Sequence, residues 1–237
     1  MARHPKKGPK KVLVVDVGGT NVKILATGRT ERRKFASGPK LTPRQMVKGV
    51  KELAKDWTYD VVSIGYPGPV GPRGPAVEPY NLGRGWVGFD FTAAFGRPVR
   101  VINDAAMQAL GSYRGGTMLF LGLGTGLGTA LVVNGTVVPM ELGHLPFGRK
   151  TYEDYLGIRG LEKLGVRRWR AFVETVTERF IAAFRLDDVV LGGGNVKKLK
   201  KLPKGCRAGD NANAFLGGFR LWEDSSGPPA RRWRHGK

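Results

Sequence analysis

One cysteine, Cys206, is all this chain has in 237 residues. A disulfide within the chain is therefore impossible, and a zinc site built from cysteines is not expected. Carboxylates are also scarce: 19 Asp and Glu stand against 40 Lys and Arg, a formal net charge of +21. Long apolar runs are missing, so no segment is predicted to cross a membrane. The opening Met1-Ala2-Arg3-His4-Pro5-Lys6-Lys7 is basic, but no apolar signal core follows it. The default expectation is a cytoplasmic enzyme. With 41% hydrophobic residues, the chain can bury a real core and is long enough for two lobes.

Against these absences stands a glycine-rich turn that occurs twice. The first copy is Val14-Val15-Asp16-Val17-Gly18-Gly19-Thr20-Asn21-Val22-Lys23. The second is Phe120-Leu121-Gly122-Leu123-Gly124-Thr125-Gly126-Leu127-Gly128-Thr129. Each reads as strand, Gly/Thr turn and strand. Glycine reaches backbone angles closed to other residues and lets other groups approach the main chain. Successive N–H groups in such a turn form a concave anion site. Thr20 and Thr125 add hydroxyl donors, and Lys23 adds a cation. Asp16 would repel a phosphate unless a cation lay between them. It therefore reads as a Mg²⁺ partner, acting through water. Two ordinary hairpins are the bland alternative, and neither copy matches the phosphate-loop or Rossmann patterns. Two such turns facing one another could hold a phosphate chain between lobes, which predicts phosphoryl transfer.

The positive charge is clustered. Lys6 to Lys11, Arg29 to Lys34 and Arg167 to Arg170 form three groups. Lys197, Lys198, Lys200, Lys201 and Lys204 form a fourth, directly after a third glycine turn, Gly192-Gly193-Gly194. Arg231, Arg232 and Arg234 lie in a tail rich in Ser, Pro and Gly. Solvated surface is the simple reading of each cluster. A field of this size nevertheless attracts polyanions, nucleic acid being the usual first thought.

Strands are expected at 12–17, 22–26, 61–64, 99–102, 118–123, 128–133, 136–139 and 189–191. Thr42-Pro43-Arg44-Gln45 predicts a capped helix start. Met46, Val47, Val50, Leu53, Ala54 and Trp57 fall on one helical face behind it. A second helix is expected from about Ala105 to Tyr113. A third is striped by Phe172, Val173, Val176, Phe180, Ile181 and Phe184, and a last one spans Asn211 to about Leu221. Residues 65–90 read as loop. Alternating strands and helices with a repeated hairpin predict an α/β fold of two related lobes. The expected division is a basic arm at 1–11, lobes at 12–103 and 104–224, and a disordered tail at 225–237, with the last helix packing back on the first lobe.

Taken in order, these motifs resemble the ROK sugar kinases of the actin-like ATPase superfamily, and among them the polyphosphate glucokinase branch. The resemblance spans most of 12–220 and implies a hexokinase-like (ribonuclease H-like) fold with duplicated β-hairpin phosphate motifs. Asp16 to Lys23, including Gly18, Gly19, Thr20 and Asn21, is similar to the first phosphate motif. The stretch holding Gly124, Thr125 and Gly126 is similar to the second, and Gly192, Gly193, Gly194 and Asn195 to the adenosine-side motif. Asn103-Asp104 resembles the sugar and base motif. The resemblance implies that Glu141, His144 and Glu153 line a glucose pocket, with Asn81 on a sugar-contact loop. Where many members carry a cysteine-rich zinc loop, this chain has Leu145 to Tyr152 without cysteine, so no zinc site is implied. No repressor-type module is expected ahead of residue 12.

The chemistry can be argued beside the resemblance. A sugar hydroxyl is a weak nucleophile, and a carboxylate within hydrogen-bond reach can take its proton during transfer. Asp104, at a strand-to-helix junction, is the candidate base, although Asp is also a favoured helix cap. Asn103 offers both donor and acceptor to a sugar hydroxyl. The expectation is a kinase moving the terminal phosphate of inorganic polyphosphate, and of ATP, to the 6-hydroxyl of glucose with Mg²⁺. Lys197, Lys198, Lys200 and Lys201 are candidate groove residues for polyphosphate. The rivals are an ATP-only glucokinase, a kinase of another hexose such as mannose, and a nucleic-acid-binding protein on an inactive scaffold. The intact Asp16, Asp104 and Glu141 argue against the last. Family members are often dimers, so a homodimer is also envisaged.

Overall fold

A computed structural model of the chain describes residues 9–210 and 212–223. The basic arm through residue 8 and the tail from residue 224 lie outside the described residues, as does residue 211 at the expected start of the last helix.

The central strand β1 (Val12–Val17) is almost wholly buried, which is why it reads as a near-continuous apolar run. It turns through Gly18-Gly19-Thr20 into antiparallel β2 (Asn21–Ala26), placing Asp16 opposite Lys23. An edge strand, β3 (Arg33–Ala36), pairs with β2. Its sequence, Arg-Lys-Phe-Ala, carries too little alternation to betray a strand. Helix α1 (Pro43–Leu53) starts as expected. The Thr42 hydroxyl accepts the Gln45 N–H at 3.4 Å, and the Gln45 side chain accepts the Thr42 N–H at 2.9 Å. Its end was overextended in the sequence reading: Ala54 and Trp57 are buried, but beyond the helix. The Arg33 guanidinium lies 4.4 Å from the Trp57 ring centre.

Strand β4 (Val61–Tyr66) runs parallel to β1. A small hairpin, β5 (Val70–Gly71) and β6 (Gly74–Pro75), and the one-turn helix α2 (Phe91–Phe95), capped by Asp90, follow. β7 (Val99–Asn103) then pairs parallel with β4 and leads directly into α3 (Asp104–Ser112). The sheet order is β3-β2-β1-β4-β7.

The second sheet repeats this plan. β8 (Thr117–Leu123), β9 (Leu127–Val133) and β10 (Thr136–Met140) form an antiparallel meander around the second glycine turn. A short pair, β11 (Pro146–Phe147) and β12 (Lys150–Thr151), leads to α4 (Tyr152–Leu156) and the long α5 (Ile158–Phe184). Helix α5 breaks at Gly165, whose φ is +73°. β13 (Asp188–Gly192) and β14 (Cys206–Ala208) add in parallel, giving the order β10-β9-β8-β13-β14. Both sheets thus carry a meander on one side of a central strand and parallel crossovers on the other.

Three apolar clusters form the interior. One lies under α1, another under α5, and the third joins Val14, Met107, Phe120 and Phe215 from both halves of the chain. The joining elements are α3 and α6 (Asn213–Arg220), which is shorter than its sequence suggested. They touch backbone to backbone. A Cβ on Gly111 would overlap the Asn213 carbonyl, and one on Gly217 the Met107 carbonyl. Arg220 donates to the carbonyls of Leu110, Gly111 and Tyr113 at 2.7, 3.2 and 3.1 Å, closing the end of α3. Buried Ser63 of β4 donates to the Gly218 carbonyl at 2.6 Å and accepts from the Trp222 ring N–H at 3.0 Å.

Candidate active site

The first glycine turn is braced from two sides. Gly18 N–H donates to the Asn21 carbonyl at 3.0 Å. Ser37, just after β3, donates its hydroxyl to the Gly18 carbonyl at 2.6 Å and its N–H to the Thr20 carbonyl at 3.0 Å. Gly19 faces Asn81: a Cβ there would come within 3.3 Å of the Asn81 Cβ. The N–H groups of Gly19 and Thr20 find no acceptor among the described residues.

The second turn is assembled from farther away. Asn195 donates its side-chain amide to the Gly124 carbonyl at 3.1 Å and its N–H to the Leu123 carbonyl at 3.0 Å. Ile158 N–H, at the start of α5, reaches the Thr125 carbonyl at 3.2 Å. Glu153 of α4 accepts the Leu127 N–H at 3.1 Å and pairs with Arg159 at 3.5 Å. Here too, the Thr125 and Gly126 N–H groups have no acceptor among the described residues.

The reason for these glycines differs from the sequence expectation. None of Gly18, Gly19, Gly124 and Gly126 has a positive φ. Gly126 is needed because a side chain would strike the Glu153 carboxylate, and Gly128 because its Cβ would lie 2.9 Å from that of Ala105. Only the third turn uses glycine's handedness: Gly193 has φ +84° and packs on the Leu123 backbone. Gly124 is explained by neither angle nor packing, since nothing lies within 4 Å of its missing Cβ. Its bareness leaves the main chain open to a ligand.

Asp104 sits between the two turns. Strand register carries Asp16 to Gly65 and Gly65 to Ile102, so Asp16 and Asp104 lie at the same edge of the sheet, at the ends of the two strands that flank β4. Gly65 makes room there for Met107 and the start of α3. Burial is the main force that pushes the Asp104 carboxyl up to about 7. The nearby negative charge of Asp16 adds to this, and Glu141 adds less; the Ala105 N–H, donating at 2.8 Å, works against them. Asp16 is also raised, since burial outweighs its Lys23 partner at 3.6 Å.

The capping role weighed for Asp104 belongs to Asn103. The Asn103 side-chain Oδ1 accepts the Ala106 N–H at 3.0 Å, and its Nδ2 donates to the Gly68 carbonyl at 3.1 Å. Asp104 is the first helical residue instead, which leaves its second oxygen without a protein donor among the described residues. Asn103 keeps one N–H and spare acceptor capacity for a ligand. Glu141 and His144 flank a single 3-10 turn and are exposed. Asn195 is buried and already engaged with Gly124. Lys197, Lys198, Lys200 and Lys201 are exposed on the loop beyond it.

Sequence reasoning missed Ser37 and Arg159, and named Arg170 only as part of a basic cluster. Arg170 of α5 donates to the Lys198 carbonyl at 2.7 Å, tying the lysine loop to the helix. The Thr151-x-x-Asp154 capping box was the available signal that Glu153 opens a helix and faces a neighbour. Among the described residues, no cluster of three or more metal-ligating side chains occurs. Asp16 alone suits Mg²⁺, which keeps several waters and takes only one or two carboxylates beside substrate phosphates. Its raised proton affinity shows a carboxylate that a cation would relieve. An open groove of about 940 Å³ lies elsewhere, beside β7, lined by Arg73, Asp90 and Arg100 and none of these residues. No helix among the described residues is long and apolar enough to cross a membrane.

Comparison with known proteins matches these features to one family. The model of the ROK family matches residues 12–155. The polyphosphate glucokinase of Mycobacterium tuberculosis is 28% identical over 215 residues, covering 79% of this chain and 78% of that protein. Among solved structures, the inorganic polyphosphate/ATP-glucomannokinase of Arthrobacter sp. superposes with a TM-score of 0.75 at 23% identity, over 89% of this chain and 97% of the other. A ROK family glucokinase from Streptomyces griseus, in complex with glucose and AMPPNP, gives 0.71 at 17% identity, over 90% and 99%. These likenesses bear out the two-lobed actin-like, hexokinase-like fold.

Proposed function

The chain belongs to the ROK family and is a phosphotransferase, and from that premise we propose that it transfers the terminal phosphate of inorganic polyphosphate to the 6-hydroxyl of glucose, with ATP as a second donor. The observation that carries this reading is Asp104: a carboxyl pushed up to about 7, set beside Asp16 between two turns whose N–H groups are unpaired among the described residues.

The Asp104 oxygen left free by Ala105 takes the proton of the sugar 6-hydroxyl. The sugar oxygen bonds to the terminal phosphorus as the bond from that phosphorus to its bridging oxygen breaks. The shortened donor leaves with that electron pair. A base with an affinity near neutrality holds the proton well yet is substantially ionised at working pH. Mg²⁺, when bound, would neutralise phosphate charge, with Asp16 holding it through water. Amides of Gly19, Thr20, Thr125 and Gly126 receive phosphate oxygens. Asn81, Asn103, Glu141, His144 and Glu153 orient the sugar hydroxyls. Glu153 would then serve both substrates, since it also holds the second turn through Leu127.

The donor proposal rests on the name of the Mycobacterium relative and on the chain's charge of +21, for which ATP alone gives no reason. The test is glucose 6-phosphate formation with Mg²⁺, comparing long-chain polyphosphate and ATP. Turnover with polyphosphate supports the reading. Turnover with ATP alone would reject the polyphosphate donor. Turnover with mannose in preference to glucose would reject the sugar.

A further inference from the structure

Few cations among the described residues have a carboxylate partner, and Lys55 with Glu52 is one such pair. Lys23 pairs with Asp16, Arg33 with Asp56, Arg159 with Glu153 and Arg207 with Asp188. The remaining cations have none, and one group of them is gathered on a single surface. Arg167 on α5, and Lys197, Lys198, Lys200 and Lys201 on the facing loop, are exposed, and none forms an ion pair among the described residues. Like charges held together without counterions repel, and the arrangement is relieved by a polyanion.

The two cationic groups are physically joined. Arg170 donates from both Nε and Nη2 to the Lys198 carbonyl at 2.7 and 2.5 Å. Trp169, next to it, is buried and donates its ring N–H to the Leu156 carbonyl at 2.9 Å. Arg167 is one helical turn before Arg170 and so shares its face. Glu174, one turn beyond, brings the next carboxylate on that face. The patch is also continuous with the second glycine turn. Asn195 holds Gly124 by its side chain and opens the short 3-10 turn Val196–Lys198. Helix α5 itself begins on the Thr125 carbonyl.

We propose that Arg167, with the lysines of residues 197–201, forms a binding surface for the distal units of a polyphosphate donor, the part of the chain that is not transferred. This rests on the donor reading above and adds to it a surface that distinguishes long chains from short ones. A donor of a few units ends at the glycine turns. A long chain continues past Asn195 onto the α5 face, where its regular charge meets fixed cations. Nucleoside triphosphate carries no phosphate that far.

The experiment uses the full chain, with Arg167→Gln/Lys198→Gln as the variant. Lys48→Gln/Lys51→Gln on α1, which removes equal charge from another exposed helix, serves as control. KM is measured for long-chain polyphosphate and for tripolyphosphate, and direct binding of long-chain polyphosphate is measured without glucose. The proposal expects the ratio of long-chain to tripolyphosphate KM to rise about tenfold in this variant, with the control changed far less. Long-chain binding should weaken by a similar factor and be strongly salt-dependent. Equal effects in variant and control would overturn the proposal, leaving only net charge. So would an unchanged ratio with unchanged binding, or a selective loss of duplex DNA binding with polyphosphate binding intact. Absence of turnover with any polyphosphate alongside good turnover with ATP would instead sink the donor reading. The binding measurement would then decide the surface by itself.

Discussion

The two glycine turns occupy equivalent places in two sheets of the same order, yet they hold their charges differently. In the first, the carboxylate and its cation are neighbours across one hairpin: Asp16 and Lys23 are register partners. In the second, the hairpin from Leu123 to Leu127 has no ionisable side chain. Glu153 arrives from α4 and Arg159 from α5, while Asn195 comes from the loop after β13. Each turn ends with a carboxylate and a cation beside it, one pair built locally and the other by tertiary structure. The local pair also bears on chemistry, because the charge of Asp16 helps raise Asp104. Glu153 has no such effect.

The largest expected effect comes from the residue between the turns. Asp104→Asn keeps an acceptor for the Ala105 N–H but loses the proposed base, so kcat should fall about 10²–10⁴-fold. The same variant should be more stable. A carboxyl raised from 3.8 to about 7 leaves stability fully present below its unfolded value and lost as pH climbs through the folded one. At pH 8 the variant should therefore exceed the parent by roughly 2–4 kcal/mol, and the gap should close below pH 4; denaturant unfolding at both pH values checks this. A variant that is both inactive and less stable would argue for a structural role.

Asp16→Asn tests the asymmetry directly. It removes the second-largest cause of the Asp104 shift, so the acid limb of the kcat profile, expected near 7, should move to lower pH. Glu153→Gln should leave that limb where it is while weakening the second turn. A matched shift in both variants would erase the distinction between the turns. Next in size is Asn195→Ala, which frees the Gly124 carbonyl and deletes a buried amide; a loss of about 1–3 kcal/mol and a higher donor KM are expected, with glucose KM little changed. Smallest is Ser37→Ala, which removes one hydrogen bond to Gly18 for about 0.5–1.5 kcal/mol, read from thermal unfolding.

The same contrast explains what the sequence could reveal. The first turn was legible because its parts are contiguous, and so was α1, whose capping box is a four-residue signal. The Asn103-Asp104 junction was found, but not which of the two caps the helix; that depends on strand register and a carbonyl at Gly68. The contacts of Ser37, Arg159 and Arg170 were invisible because their partners are 19, 6 and 28 residues away and follow no helical or strand period. Edge strands β3 and β14 escaped for a different reason: being half exposed, they carry no apolar run. The turn glycines were noticed correctly and explained incompletely, since crowding by other segments cannot be seen in a linear chain.

Helix α6 has a further implication for how the chain is made. It is synthesised after both sheets, yet it supplies Ala214 and Phe215 to the interior they share and closes the end of the helix that Asp104 begins. Until residues 213–220 have emerged, Val14 and Met107 lack part of their cover and the carbonyls at the end of α3 lack their arginine. Any product ending earlier keeps both glycine turns but displays an unsealed apolar seam, the kind of surface that aggregates or is degraded. Completion of translation thereby becomes a condition for Asp104 to be held in place, and a truncated protein should be removed before it can act.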